Sequence, residues 1–159
     1  MLDIHTPLGD FVLDDASEAP VVLISGGAGI TAVLSMLAHL VTRTNRQVVF
    51  LHGARGRAYH AFGEQVRDLA TRRPGVRARI FYEEESRGDR LGVHHDQVGR
   101  ITAAAIRANL PEGDAAFYYC GPLGFMTATE AALDSLGVPA NRRHSEAFAP
   151  DPSFAVAAE

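Results

Sequence analysis

The order in which apolar runs and helical patterns alternate is the feature that most constrains the fold of this chain. Five strand-length runs rich in β-forming residues are separated by four stretches with apolar residues at helical spacing. The runs are residues 20–25, 47–52, 77–82, 115–120 and 142–148, and the helical stretches are residues 30–42, 59–72, 97–109 and 125–136. Strands joined through helices run parallel with right-handed crossovers. The sequence therefore predicts an α/β fold with a doubly wound five-stranded parallel sheet of order 3-2-1-4-5 and helices on both faces.

Composition excludes several classes of protein. A chain of 159 residues with 47% hydrophobic residues suits one globular domain with a sizeable core. The formal net charge is −4 and the basic residues are scattered, so we expect no binding to nucleic acid or to a membrane. The single cysteine, Cys120, excludes a disulfide within the chain and a cysteine-rich metal site, and it fits a cytoplasmic setting. The adjacent His94 and His95 lack the further ligands that a metal site needs.

The first apolar run leads directly into three glycines. In PVVLISGGAGITAVLSML, residues 20–37, the pattern changes from strand to helix at Gly26, Gly27 and Gly29. A loop at this place in a parallel sheet points backbone N–H groups and a helix N-terminus at a phosphate, and glycine lets the phosphate approach. Residues 27–32 satisfy G-x-G-x-x-A, and Thr31 adds a hydroxyl that can donate to a phosphate oxygen. A tight turn without a ligand would also use glycine, so this motif alone is weak.

A second glycine turn follows the fourth predicted strand, in FYYCGPLGFM at residues 117–126. In the order 3-2-1-4-5 the first and fourth strands are neighbours whose connections leave in opposite directions, so both turns flank one crevice. Cys120 would face this crevice, whereas lone cysteines are usually small buried hydrophobic residues. The second strand ends in FLHGAR, with Arg55 and no acid to hold ribose hydroxyls, so adenosine recognition must differ from the simple dinucleotide fingerprint.

Four motifs in this order resemble the nicotinamide-binding domain of the ferredoxin–NADP reductase superfamily, and in particular the reductase portion of flavohaemoglobins. They are GGAGIT followed by LSML, HGAR with AF ahead of a helix, YYCGPLGFM and HSEAF. The stretch TPLGDFVLD also resembles the closing strand of the flavin-binding barrel that precedes this domain in the family. The resemblance divides the chain into residues 1–14 as a remnant of that strand with a linker, residues 15–150 as the NAD(P)H-binding domain and residues 151–159 as a tail.

The resemblance implies two candidate catalytic residues, Cys120 and Glu146. Cys120 would shape the nicotinamide pocket and orient the ring without acting as a nucleophile, and Glu146 would lie near the hydride-transfer site. The cofactor-binding residues that it implies, together with those of the glycine turns, are Gly26, Gly27, Gly29, Ile30, Thr31, Arg55, Ser86, Arg87, Cys120, Gly121, Pro122, Phe125, Met126 and Phe148. Core filling for Cys120 and Phe148, and a solvated carboxylate for Glu146, remain the alternatives.

The choice between NADH and NADPH stays open in the sequence. Ser86 and Arg87 lie where NADPH enzymes of the family place 2′-phosphate ligands, but the acidic residues at 83–85 would repel a phosphate.

Phe148 would pack against a flavin ring in the family arrangement. We also expect Gly29→Val to abolish dinucleotide binding with less damage to folding, because a branched side chain would fill the space of the pyrophosphate.

The function that the resemblance implies is to bind NADH or NADPH and present the nicotinamide to FAD. The FAD would lie in an adjacent barrel domain, of the same parent chain or a separate subunit, because this sequence begins within what would be the last barrel strand. Electrons would pass on to haem, as in a flavohaemoglobin-type nitric oxide dioxygenase. The alternatives are the same domain in a reductase that serves an iron–sulfur (2Fe-2S) protein, or a stand-alone NAD(P)H-binding regulatory module. Without the FAD domain, we expect the isolated chain to be inactive.

Overall fold

The computed structural model describes residues 11–147, which contain one parallel sheet and the helices that cover it. The strands are β1 (Val21–Gly26), β2 (Val48–Ala54), β3 (Val76–Tyr82), β4 (Gln97–Val98), β5 (Ala116–Gly121) and β6 (Arg143–Ala147). The helices are α1 (Ile30–Arg43), α2 (Gly63–Thr71), α3 (Ala103–Asn109) and α4 (Leu123–Ser135). All the strand pairs are parallel, and the order across the sheet is β4-β3-β2-β1-β5-β6.

The predicted doubly wound order is confirmed, because β3-β2-β1-β5-β6 corresponds to 3-2-1-4-5. The predicted number of five strands is wrong. Gln97 and Val98, which the sequence assigned to the start of a helix, form β4 and pair with the end of β3. Gly99 follows with a φ of 117°, a conformation that ends any helical path, and the helix begins only at Ala103.

The second helix also begins later than its pattern predicts. A single 3-10 turn covers Arg57–Tyr59, and Phe62 has a φ of 61° just before α2 begins at Gly63. Tyr59 and Phe62 extended the apolar spacing in the sequence, but their side chains are 61% and 46% exposed. The segment between β2 and α2 is therefore a loop along the carboxyl edge of the sheet.

Helices cover both faces of the sheet, as the sequence predicts. One core lies between the sheet and helices α1 and α2, and a second core lies between the sheet and helices α3 and α4. All six residues of β1 are buried, because both its faces are covered. Among the helices of the described residues, none combines the length and apolar character that crossing a bilayer requires.

Candidate functional site

Two turns from strand to helix meet at the carboxyl edge of the sheet. β1 ends at Gly26 and enters a 3-10 turn over Gly27–Gly29 before α1. β5 ends at Gly121, and α4 begins directly after Pro122. β1 and β5 are neighbours, while α1 and α4 pack on opposite faces of the sheet. This arrangement is the switch point of a doubly wound sheet, where ligands bind in folds of this class.

A cleft of about 370 Å³ lies at this edge of the sheet. Its size is within the range of sites for small molecules, roughly 300–1,000 Å³. Five residues predicted from the sequence line it: Gly26, Gly27, Arg55, Pro122 and Phe125. Nine further lining residues were not predicted: Gly53, Ala54, Glu83, Gly99, Arg100, Ile101, Gly124, Ala128 and Thr129. Gly53 and Ala54 end β2 and Glu83 follows β3, so the rule that carboxyl ends of parallel strands line the crevice would have found these three. The other six follow the unpredicted β4 or lie in α4.

Gly27 is the glycine whose geometry fits an approaching phosphate. Its φ is 51°, and a Cβ atom added to it would meet nothing within 4 Å. No side chain caps the N-terminus of α1, and its first turn carries no acidic residue. The exposed Thr31 hydroxyl donates to the carbonyl of Ala28, 3.1 Å away, within the same turn. An uncapped helix N-terminus beside an open glycine is a cradle that suits the pyrophosphate of a dinucleotide.

Gly29 has a different role, because it packs the turn against β5. A Cβ atom on Gly29 would lie 2.1 Å from the carbonyl oxygen of Cys120 and 2.7 Å from the nitrogen of Gly121. Both neighbours are backbone atoms that cannot rotate away. The expectation that Gly29→Val would damage binding more than folding is therefore contradicted by this packing. Ile30, the next residue, is 1% exposed and lies in the core beneath α1, so its side chain does not line the cleft.

The Phe125 ring explains why Gly26 and Gly121 have no side chains. A Cβ atom on Gly26 would lie 2.5 Å from the Phe125 ring, and one on Gly121 would lie 2.4 Å from it. The ring therefore rests across both turns and forms one wall of the cleft. Met126, the next residue, is buried in the core on the α4 side. Gly26 and Gly121 thus shape the cleft by making room for an aromatic side chain.

Cys120 and Glu146 lie beside each other, but not among the residues that line the cleft. Of the two alternatives for Cys120, the structure shows burial: the residue is 3% exposed and belongs to the core on the α1 side, and its role at the nicotinamide end stays a prediction. Burial, and then the charge of Glu146, raise the pKa of the Cys120 thiol. The thiol therefore keeps its proton at neutral pH, and the geometry does not provide a nucleophile here.

Charged side chains line the end of the cleft beside β2 and β3. Arg55 is exposed, and its guanidinium carbon lies 5.3 Å from the centre of the Tyr59 ring. Arg100 donates to the Glu83 carboxylate over 3.3 Å. Although no acid follows β2, Glu83 after β3 places a carboxylate in the cleft, where it would accept hydrogen bonds from ribose hydroxyls.

Three further predicted residues lie away from this cleft or beyond the described residues. Ser86 and Arg87 are exposed on the loop after β3 and are not among its lining residues. Phe148 lies outside the described residues, as do residues 1–10 and the predicted tail. Within residues 11–147, no group of three His, Cys, Asp or Glu side chains is arranged to hold a metal ion.

Comparison with known protein sequences gives the same assignment as the four motifs. A flavohemoprotein of Deinococcus radiodurans is 50% identical over 153 residues, which are 96% of this chain and 38% of that protein. A flavohemoprotein of Bordetella pertussis is 46% identical over 149 residues, which are 93% of this chain and 37% of that protein. The chain thus spans less than two fifths of the length of these relatives.

Solved structures share the fold. The flavohem-like FAD/NAD binding domain of nitric oxide dioxygenase from Vibrio cholerae aligns with a TM-score of 0.75 and 34% identity, over 89% of this chain and 56% of that chain. Flavohemoglobin from Malassezia yamatoensis with bound FAD and heme aligns with a TM-score of 0.70 and 25% identity, over 82% of this chain and 32% of that chain.

The resemblance stated from the motifs is confirmed by these relatives. The family model for the oxidoreductase NAD-binding domain matches residues 23–131, which include the glycine turns of β1 and β5 and the whole lining of the cleft. The chain therefore belongs to the oxidoreductase NAD-binding domain family.

Proposed function

We propose that this chain is the NAD(P)H-binding part of a flavohaemoglobin-type enzyme and that its cleft holds NADH or NADPH. The observation that carries the proposal is the open turn at Gly27, next to an uncapped helix N-terminus at the switch point of the sheet. Two of the relatives support this parent enzyme: the flavohemoprotein of Deinococcus radiodurans and the flavohem-like FAD/NAD binding domain of nitric oxide dioxygenase from Vibrio cholerae. Bound NAD(P)H would supply a hydride to FAD held outside this chain.

The direction of the dinucleotide follows from the chemistry at the two ends of the cleft. The end beside β5 is apolar and aromatic, with Pro122 and Phe125, and it suits the nicotinamide ring. The end beside β2 and β3 carries Arg55 and Glu83, which suit the phosphates and ribose of the adenosine half. Gly27 lies between the two ends, where the pyrophosphate would be.

In this proposal Cys120 and Glu146 lie next to the nicotinamide end of the cleft. Cys120 is directly followed by Gly121 and Pro122, so its backbone sets where the apolar end of the cleft begins. Its thiol would support the pocket from the core side. Ser86, Arg87 and Phe148 remain predictions for contacts with the 2′-phosphate and the flavin ring.

The remainder of the proposal concerns the parent enzyme. Residues 15–150 would form the NAD(P)H-binding domain, and residues 1–14 would lead into it from an FAD-binding barrel of the same chain or a separate subunit. The final acceptor would be haem, since the relatives with 50% and 46% identity are flavohemoproteins. A cytoplasmic location belongs to the same proposal. An iron–sulfur acceptor has no comparable support among these relatives.

The test has two stages. Titration of the chain with NADH and NADPH, followed by nicotinamide fluorescence, should show one site from which ADP-ribose displaces the cofactor. In the natural parent protein, anaerobic addition of NADH should then bleach the flavin absorbance before the haem is reduced. No saturable binding in the first stage refutes the cofactor site. Binding without a flavin in the parent protein would instead assign a stand-alone regulatory module.

A further inference from the structure

A line of polar and aromatic side chains, buried at Ser25, His52, Tyr82 and His95, crosses the face of the sheet opposite to the cleft. We call it the histidine row, and it consists of Ser25, His52, His60, Tyr82, His95 and Glu85. His52 and His95 have no exposed surface, and Tyr82 is 1% exposed. Buried imidazoles in contact with one another are uncommon, since His is usually only partly buried. Neither the core nor the proposed cofactor contacts account for them.

The contacts in the row alternate between hydrogen bonds and ring stacking. A hydrogen bond of 2.7 Å joins the Ser25 hydroxyl and Nδ1 of His52. The His52 and His60 rings stack with centroids 5.2 Å apart. A second hydrogen bond of 2.7 Å joins Nδ1 of His60 and the Tyr82 hydroxyl. The row thereby connects the ends of β1, β2 and β3 with the loop before α2.

The outer end of the row holds the loop after β3. The Tyr82 and His95 rings stack at 4.9 Å with 20° between their planes. Nε2 of His95 donates to the Glu85 carboxylate over 2.7 Å. Both loops beside the charged end of the cleft are therefore fixed to the same row, one through His60 and the other through His95.

The row is not a proton relay or a metal site. Two of its links are stacked rings, and the second ring nitrogens of His52, His60 and His95 have no hydrogen-bond partner among the described residues. Burial lowers the pKa of His52 to about 3 and that of His60 to about 4, so both rings are neutral at pH 7 and stack without repulsion. The chemistry of the row is that of a fixed, uncharged support.

The position of the row relates it to the cleft. Ser25, His52 and Tyr82 lie in the ends of β1, β2 and β3. Each is followed directly by a residue that lines the cleft: Gly26, Gly53 and Glu83. Successive side chains of a strand point to opposite faces of the sheet. The row therefore lies on the face opposite to the cleft and supports the lining residues from behind.

We propose that the histidine row is a set of positioning residues for the adenosine half of the cofactor. The His60–Tyr82 hydrogen bond holds the loop that carries Arg55 and Tyr59 against the end of β3, next to Glu83. It thereby sets the separation between the cation and the carboxylate that face the adenosine half. This inference rests on the proposed function of the cleft. A polar site works only when its groups are held in place, which is why a support beneath it affects affinity.

The test compares two buried tyrosines that receive the same substitution. Tyr82→Phe removes the hydrogen bond to His60 and keeps the ring stacked on His95. Tyr118→Phe is the matched control, because Tyr118 is also fully buried, stacks on His144 at 4.6 Å and accepts one hydrogen bond through its hydroxyl, from the Asp14 N–H. Both variants should lose similar thermal stability.

The binding measurements should separate them. For Tyr82→Phe we expect about two- to tenfold weaker binding of ADP-ribose, the size of one lost hydrogen bond expressed as an affinity. Displacement by nicotinamide mononucleotide should not change, and Tyr118→Phe should bind both fragments like the wild type. If Tyr82→Phe does not fold, His60→Gln breaks the same contact at a half-buried position.

The outcomes of these binding measurements separate the positioning role of the histidine row from the cofactor site itself. Wild-type affinity for ADP-ribose in a folded Tyr82→Phe or His60→Gln protein overturns the positioning role, while the cofactor site stands. Equal losses for both fragments also overturn it, because a general loosening of the cleft would then be the cause. A wild-type chain that binds neither NADH nor ADP-ribose refutes the proposed function, and the positioning role is refuted with it.

Discussion

Substituting alanine at Gly27 and at Gly29 adds one methyl group to the same turn, and the structure predicts opposite consequences for the two positions. At Gly29 the methyl carbon would lie 2.1 Å from the carbonyl oxygen of Cys120. At Gly27 it would point into the open cleft, with nothing within 4 Å. Gly29→Ala should therefore damage the fold, and Gly27→Ala should damage binding.

The magnitudes follow from these distances and dihedral angles. Atoms in contact lie about 3.5–4.0 Å apart, so Gly29→Ala must move the turn away from β5 by more than about 1 Å. Because both partners are backbone, we expect a loss of at least about 3 kcal/mol in the free energy of unfolding, the upper end for overpacking. Gly27→Ala places a side chain at a φ of 51°, which costs about 1–2 kcal/mol.

Gly137→Ala provides the control for backbone strain. Gly137 has a φ of 71°, meets nothing within 4 Å and lies in the turn after α4, outside the cleft. It should lose about as much stability as Gly27→Ala. Urea denaturation followed by circular dichroism measures the stability of all three variants, and NADH fluorescence titration measures the affinity of those that fold.

The affinities decide the assignment of Gly27. We expect at least about tenfold weaker NADH binding for Gly27→Ala, equivalent to about 1.4 kcal/mol, and wild-type binding for Gly137→Ala. Equal affinities in these two variants would refute the phosphate cradle. A Gly29→Ala protein with the wild-type denaturation midpoint would refute the contact between the turn and β5.

Three further predictions concern Cys120, His52 and Gly121. Because burial and the charge of Glu146 raise the pKa of the Cys120 thiol, iodoacetamide should label the native chain slowly at pH 7 and rapidly in urea, and fast native labelling would contradict this. The pKa of His52 is lowered from 6.5 to about 3, so its contribution to stability is complete above pH 6.5 and is lost as the pH falls towards 3. The stability advantage of the wild type over His52→Gln should therefore shrink by about 2 kcal/mol from pH 7 to pH 5, and a constant difference in urea denaturation would exclude the shift. Gly121→Ala should displace the Phe125 ring and lower both the free energy of unfolding and the NADH affinity. In Gly124→Ala the added methyl group meets nothing within 4 Å, so this control should gain about 0.5–1 kcal/mol in stability. Equal denaturation midpoints for the two variants would contradict the packing of Phe125 on Gly121.

The main strands could be predicted because a strand that is buried on both faces consists of an uninterrupted run of apolar residues. β1 and β5 show this most clearly, since almost every residue in them is buried. β4 has no such signature, because both its residues are exposed and its pairing depends on Phe81 and Tyr82, distant in sequence. A two-residue strand of this kind is defined by its neighbour and not by its own pattern.

The directions of side chains at strand ends were harder to predict than the strands. At the ends of β1, β2 and β3, neighbouring residues face opposite sides of the sheet. Ser25, His52 and Tyr82 belong to the histidine row, and the next residue along the chain, Gly26, Gly53 or Glu83, lines the cleft. A shift of one residue in a predicted strand end reverses such an assignment. This is why the sequence located the turns, whereas it did not assign Glu83 to the lining and left the direction of the Cys120 side chain open.

The burial of Cys120 changes how this residue would contribute to hydride transfer. Its carbonyl oxygen is the atom against which Gly29 packs, so the backbone of Cys120 fixes the distance between the phosphate turn of β1 and the apolar turn of β5. That contact is made by main-chain atoms and survives Cys120→Ala. The side chain acts only from the core, beneath Gly121, where loss of the sulfur would let the apolar turn settle inward. A small displacement of the reacting ring lowers the rate of transfer far more than it lowers affinity. Cys120→Ala in the parent enzyme should therefore slow flavin reduction in stopped-flow experiments while NADH affinity stays the same, and a wild-type rate with a lowered melting temperature would reduce Cys120 to core filling.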